Sequence, residues 1–528
     1  MAEAHTEINI TPTTVDATGT GVFSRVSRGM SALSLGALIS IVGQISIVPL
    51  GLYAWGKVGY GEWVSLSGLI LLLKLTDLGL QTFVVNNLCA SYVKGDREEM
   101  QQSLNSAIKV QCALIGVLLF ATACLLFALP PDRALNFQTI GGFKLFAVLM
   151  LLATELLIGV PMGVIAGMYR ATGRLAHGAM IGNVQQFLLL ASTCMLIIAH
   201  RGFAVVAAAR VTIAVAISLF ILYDLRKLFP WLQISPFAGV WQMGAKMILP
   251  GLFFFAVPLA DYLANQFTLI VLQKNLDGGE VSRLATHRTV VNVAQMVSGL
   301  LANAMWPELT ALYALAHKEQ LRKAHRSLVK LNMWVVGAVT FGMLPFVPRI
   351  YPSWTAGRLT IDRATLAFLI AKTLLWGMWS ASMTVLLATN RQKKVAGAIL
   401  GAAVLTSVLS IVLVPRMGIS GAAFASLLGD GLLSAWLIPY FAVKATDDNV
   451  IAFFTAKLGA LLIAILIPAS LGLLLWNLTS TALIRYIVIV PIISALALAF
   501  MWRQLAVYER QFIIRLYQKR FAKAAKES

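Results

Sequence analysis

Apolar positions along this chain come in long runs that are hydrophobic on every side rather than striped. Segments of about twenty such residues recur from Ser31 to Trp502 between short polar stretches, and each is long enough to cross a hydrocarbon core about 30 Å thick. The pattern predicts spans at 31–52, 64–88, 107–129, 145–167, 179–199, 204–223, 247–272, 286–306, 329–347, 364–387, 396–414, 421–443, 458–476 and 485–502, about fourteen helices. Strands of a membrane barrel alternate apolar and polar residues over about ten positions. The runs here do not, so the chain reads as an all-α polytopic membrane protein.

An internal repeat groups these spans. "SYVKGDREEMQQSLNSAIKV" (Ser91 to Val110) aligns with "LYALAHKEQLRKAHRSLVKL" (Leu312 to Leu331), pairing Tyr92 with Tyr313, Glu98 with Glu319, Ser106 with Ser327 and Lys109 with Lys330. Farther on, "ATGRLAHGA" (Ala171 to Ala179) faces "ATNRQKKVA" (Ala388 to Ala396), and "GFAVVAAA" faces "GISGAAFA" at nearly the same offset. The matches keep their order and their place among the spans, which predicts two lobes of six helices each. Because six is even, the lobes run parallel, related by a pseudo-twofold along the membrane normal. The expected organisation is a cytoplasmic tail at 1–30, an N-lobe at 31–224, a linker at 225–246, a C-lobe at 247–443, two further helices within 444–502 and a basic amphipathic tail at 503–528.

Composition adds the direction of insertion. The chain is 59% hydrophobic and 12% charged, with a net charge of +20, whereas soluble domains carry roughly a quarter charged residues. That positive charge could suggest a nucleic-acid partner, but it gathers in alternate loops: Lys94, Arg97, Arg170, Arg174, Arg226 and Lys227 on one side, with Lys318 to Arg326 and Arg391 to Lys394 in the second half. The opposite loops are sparser, with Lys57, Arg133, Arg201, Arg283, Arg358 and Arg416. The positive-inside rule therefore puts both termini in the cytoplasm, and no nucleic-acid partner is needed. The first twenty residues lack a cleavable signal pattern, so the first helix is the expected insertion signal. In the tail, Leu505, Tyr508, Phe512 and Leu516 share a helical face amid basic residues. It is either a site for anionic membrane lipids or a solvated basic tail.

Candidate chemistry lies inside the spans. Six scattered histidines, four cysteines without a CxxC pair, no phosphate loop and no HExxH give no grounds for catalysis, a cofactor or a metal. Ionisable residues in a bilayer cost a few kcal/mol each and normally face a bundle interior or aqueous cavity. Here they are Lys74, Asp77, Glu155, Arg210, Asp261 and Lys372, with His287 and Arg288 at a helix mouth and Asp430 deeper in another helix. Spread over both lobes, they predict a central cavity between lobes. Arg210 and Lys372 have no acidic neighbour within a turn, so a substrate phosphate would suit Lys74, Arg210, Arg288 and Lys372. Asp77, Glu155 and Asp261 either exchange a proton or sodium ion or pair with these cations, as Lys74 and Asp77 can at three-residue spacing. Pro49, Pro161, Pro250 and Pro258 lie within spans, where they give either static kinks or hinges, Pro49, Pro250 and Pro258 being the hinge candidates.

"GKVGYGEW" (Gly56 to Trp63), "LTDLGL" (Leu75 to Leu80), "WPELTALYALAHKEQLRKAHR" (Trp306 to Arg326) and "RMGISGAAFASLLGD" (Arg416 to Asp430) resemble polysaccharide flippases of the Wzx type. These belong to the multidrug, oligosaccharidyl-lipid and polysaccharide exporter superfamily. The resemblance covers most of 31–444 and implies a two-lobed transporter of the bacterial inner membrane. Its implied cargo is an undecaprenyl-diphosphate-linked oligosaccharide for exopolysaccharide, capsule or O-antigen (lipopolysaccharide) assembly, moved beside a polysaccharide polymerase machinery and driven by H+ or Na+. It also implies that the two last helices offer a groove for the lipid tail, as in the related lipid II flippases. The alternatives are a cation-coupled multidrug exporter of the same superfamily and a membrane-embedded glycan polymerase or ligase, which generally needs a long periplasmic loop.

Overall fold

A computed structural model describes residues 20–77, 79–128, 135–315, 317–389, 391–460, 462–463 and 470. The predicted helix 485–502, nearly all of 458–476, the basic tail and residues 1–19 lie outside these. Among the described residues the chain is helical throughout, and nine helices are long and apolar enough to cross a membrane, or ten if one bent pair counts as a span. The chain forms two compact units, Met1–Tyr262 and Leu263–Ser528.

In the first unit, α1 (Thr20–Leu71) takes in the first predicted span and most of the second, broken at Gly56 (φ 72, ψ 178). Only glycine tolerates such a positive φ without strain. The second span then tightens into a 3-10 turn, Leu72–Asp77, passes Gly79 in the left-handed region and restarts as α2, Leu80–Lys94. One predicted helix is thus two pieces around a break. α2 closes at Gly95 (φ 76), where the Gly95 and Asp96 amides donate to Tyr92 and Ser91 carbonyls, a left-handed cap that reuses otherwise orphaned acceptors. α3 (Arg97–Ala128), α4 (Gly142–Ala171), α5 (Leu175–Ile198), α6 (Phe203–Leu228) and α7 (Trp241–Asp261) follow.

The core near the α2–α3 turn stacks Leu80, Val84 and Leu88 of α2 on Leu104 and Ile108 of α3, Met168 of α4 and Met247 of α7. The segment between α6 and α7 is pinned to α3. Asn105 donates to the Gln233 carbonyl (2.9 Å) and accepts from the Ser235 amide (3.1 Å), Ser106 accepts from the Val240 amide (2.9 Å), and Lys109 donates to the Gly239 carbonyl (2.9 Å). These bonds draw α7 into the first unit. The unit boundary therefore falls inside the segment 247–272, at Tyr262.

A π-helical turn, Tyr262–Phe267, begins at the unit boundary, and α8, Thr268–Asn275, follows it in the second unit. The unit continues through α9 (Gly278–Ala314), α10 (Lys318–Met343), α11 (Val347–Trp354), α12 (Arg363–Ala388), α13 (Gln392–Met417), α14 (Ile419–Gly429), a π turn at Asp430–Ser434, α15 (Ala435–Ala445) and α16 (Val450–Ala460). α10 and α11 meet at a 72° bend. Asn332 locks three helices together: its amide donates to the Gly377 carbonyl and Ser380 hydroxyl, both 2.9 Å, and its oxygen accepts from Ser298. In the repeat register Asn105 pairs with Arg326, and Arg326 again pins the exit loop of its unit, holding Asp448 by two bonds of 2.6 and 2.7 Å. The sequence repeat is therefore also a repeat of loop anchoring.

Candidate functional site

Four of the charged residues of the spans sit at breaks in helix geometry, while Glu155, Arg210 and Lys372 lie within regular helices. Lys74 and Asp77 sit on the 3-10 turn of the second predicted span; Asp261 ends α7 against the π turn Tyr262–Phe267; Asp430 opens the π turn Asp430–Ser434. Such turns misalign the regular backbone ladder, and π turns recur at functional positions. Discontinuous helices carry the ligand sites of many transporters for the same reason.

At the first break, Lys74 is exposed and Asp77 half-buried. Asp77 Oδ1 accepts from Gln111 Nε2 of α3 at 2.9 Å and from the Gln81 amide at 3.1 Å, so it also caps the start of α2. Lys74 attracts this carboxylate, but the hydrogen bonds that orient it come from the two glutamines. Asp77 is thus built in, and Lys74 is exposed on the tighter 3-10 segment.

Arg210 is paired across two helices. Its guanidinium, on α6, grips Glu155 of α4 through Nε–Oε2 at 2.8 Å and Nη2–Oε1 at 2.7 Å, a bidentate pair with side chains 29% and 14% exposed. Pairing with a cation is one of the two roles the sequence leaves open for Glu155, and the partner lies on a different helix, 55 residues away, where a search within one turn does not reach. Lys372 of α12 likewise has an acidic neighbour in space, since it attracts Asp430. Arg288 donates through Nη1 to the Asn265 carbonyl at 2.8 Å, using an acceptor of the π turn Tyr262–Phe267. His287 is a structural residue: Nδ1 lies 2.7 Å from the Arg283 carbonyl and Nε2 accepts from the Asp362 amide at 3.0 Å.

The first unit therefore holds Lys74, Asp77, Glu155, Arg210 and Asp261, and the second Arg288, Lys372 and Asp430. The backbone stays helical at Pro49, Pro161, Pro250 and Pro258, while departures from α geometry fall at Gly56, Leu72–Asp77, Tyr262–Phe267, Leu344–Phe346 and Asp430–Ser434. Two buried basic residues escaped the sequence reading, His325 and Lys457. Lys457 stands directly before the predicted span 458–476. Its signal is the spacing Phe453, Lys457, Ala460, which puts a lysine on a buried helical stripe.

No family model matches the chain, and no curated protein matches it. Solved structures do. A lipid II flippase MurJ in an inward closed conformation superposes with a TM-score of 0.68 at 12% identity, over 90% of this chain and 99% of that one. An inward-facing multidrug resistance MATE family transporter of the MOP superfamily gives 0.59 at 16% identity, over 81% and 99%. The MATE multidrug transporter DinF-BH gives 0.57 at 15% identity, over 83% and 98%. The chain is a multi-pass membrane protein, and its fold is that of MOP-superfamily transporters.

Proposed function

We propose that the chain is a Wzx-type flippase of the bacterial inner membrane, with cytoplasmic termini, that works by alternating access. Its cargo is an oligosaccharide linked to a polyprenyl diphosphate such as undecaprenyl diphosphate, delivered to the periplasmic leaflet for a polysaccharide polymerase machinery. The observation that carries the reading is Lys74, exposed on a 3-10 turn in the middle of a largely apolar span. An ammonium is costly at that depth, and a lipid diphosphate would offset the cost. Arg210 serves in the same reading by exchange, because a diphosphate presents the paired oxygens that Glu155 presents to the guanidinium. Arg288 and Lys372 are the basic residues assigned to the same cargo in the second unit, and Asp77, Glu155 and Asp261 the coupling carboxylates for H+ or Na+.

The test is leaflet accessibility of a lipid-linked diphosphate sugar in proteoliposomes. Wild type exposes the sugar on the far leaflet, and Lys74→Ala slows this at least tenfold. Arg210→Ala, Arg288→Ala and Lys372→Ala each slow it less. Equal rates for all four variants and wild type would remove the assignment. The carboxylates at the helix breaks favour a second reading, cation-coupled export of drugs. It predicts that a deletion strain becomes drug-sensitive while its surface polysaccharide is built normally.

A further inference from the structure

The buried stripe of α16 consists of Phe453, Lys457 and Ala460, an i, i+4, i+7 set that packs into the core of the second unit. Lys457 is 3% exposed. Among the described residues its Nζ has no hydrogen-bond partner; it lies over the rings of Phe453 and Phe454, 5.4 and 5.2 Å from their centroids. His325 of α10, fully buried, stacks on the same Phe453 ring at 5.0 Å. Its Nε2 is 3.0 Å from the Ser382 hydroxyl of α12, and its Nδ1 has no partner. The charged groups acting on His325 are Lys457, Asp448 and Arg326, and Asp448 is engaged by Arg326 at both oxygens. Two bases thus share a ring, with no uncommitted acid beside them among the described residues.

Packing alone does not call for this pair. The repeat register sets His325 against Leu104, which is also fully buried and belongs to a cluster with Met247 of α7 that holds no basic side chain. The first unit closes the matching core with apolar side chains.

We propose that Lys457 and His325 form a proton-binding site, holding at most one proton, whose occupation loosens the docking of α16 on α10. An ammonium here has lost its water and gained two ring faces, worth about 0.5–2 kcal/mol, against several kcal/mol for burying an ion. The free amine is therefore the form that packs, and its lone pair and His325 Nδ1 are the acceptors. A proton from water forms one N–H bond and leaves one positive charge; a second would set two cations together without an anion. The site stands whatever the cargo, and on the flippase reading it supplies a proton for coupling.

The test is hydrogen exchange by mass spectrometry on the full-length purified protein between pH 6 and 9, corrected for intrinsic exchange. In wild type, protection of 450–460 falls with decreasing pH, by up to about tenfold per unit for one linked proton, while 142–171 keeps its protection. Lys457→Met, which keeps length without a titratable group, is protected throughout. Lys457→Arg, always charged, exchanges at every pH as wild type does at pH 6. His325→Leu, the residue of the first unit, moves the midpoint of the change. A wild type whose 450–460 protection is independent of pH overturns the proposal whether or not the variants fold. So does a Lys457→Met protein that keeps the pH dependence, or a His325→Leu protein with an unmoved midpoint. None of these readings involves transport, so failure here and failure of the flippase reading are separate results.

Discussion

The guanidinium of Arg210 holds both oxygens of Glu155, at 2.8 and 2.7 Å, between α6 and α4. Removing one partner leaves the other charge inside the bundle, which costs far more than removing both. Arg210→Leu and Glu155→Leu are each expected to lower stability by about 2–3 kcal/mol, and the double variant by less than the sum of the two. Thermal unfolding of the four proteins in one detergent closes the cycle. Additive losses would show that the two side chains act independently and that their pairing adds no coupling energy.

That pair also marks where sequence reading stops. The spans and the costly charges within them were visible because a bilayer imposes a length and excludes ions, whatever the tertiary packing. Partners were not, since Glu155 and Arg210 meet only when α4 packs on α6. Lys372 and Asp430 gave no local sign of each other for the same reason. The breaks were half visible: "LTDLGL" shows the glycine at 79, but only the backbone reveals its left-handed φ of 71° and the 3-10 turn before it. The repeat register pairs Asn105 with Arg326, and each of these holds a loop of its own unit.

The exit loop of the second unit makes a pH prediction. Burial of the Asp448 carboxylate works to raise its pKa, but the hydrogen bonds and charge of Arg326 prevail and hold it below the usual range. A carboxyl depressed in the folded state contributes stability above its unfolded pKa of about 4 and loses it as pH falls through the folded value. Hydrogen exchange of 446–449 is expected to rise on acidification below about pH 4 in wild type. In Asp448→Asn it is fast already at pH 7 and does not change on acidification. A protected loop in the asparagine variant at pH 7 would show that Arg326 does not anchor it.

Close approach of α7 to α3 sets the last expectation. A Cβ built on Gly244 comes 2.5 Å from the Ser106 carbonyl oxygen and 2.6 Å from Val110 Cγ2, whereas one built on Gly116, in the same α3, meets nothing within 4 Å. Backbone cannot yield as a flexible side-chain end can, so Gly244→Ala must push α7 outward and strain the bonds from Asn105, Ser106 and Lys109 to the preceding loop. Overpacking of this kind costs about 1–3 kcal/mol. Gly116→Ala removes a helix-weakening glycine and is expected to raise stability by about 0.5–1 kcal/mol. Thermal midpoints should move in opposite directions for the two variants, with exchange in 233–250 faster only in Gly244→Ala. If Gly244→Ala were as stable as wild type and equally protected there, α7 would not be docked through this contact, and its place in the first unit would rest on the loop anchors and the packing of Met247.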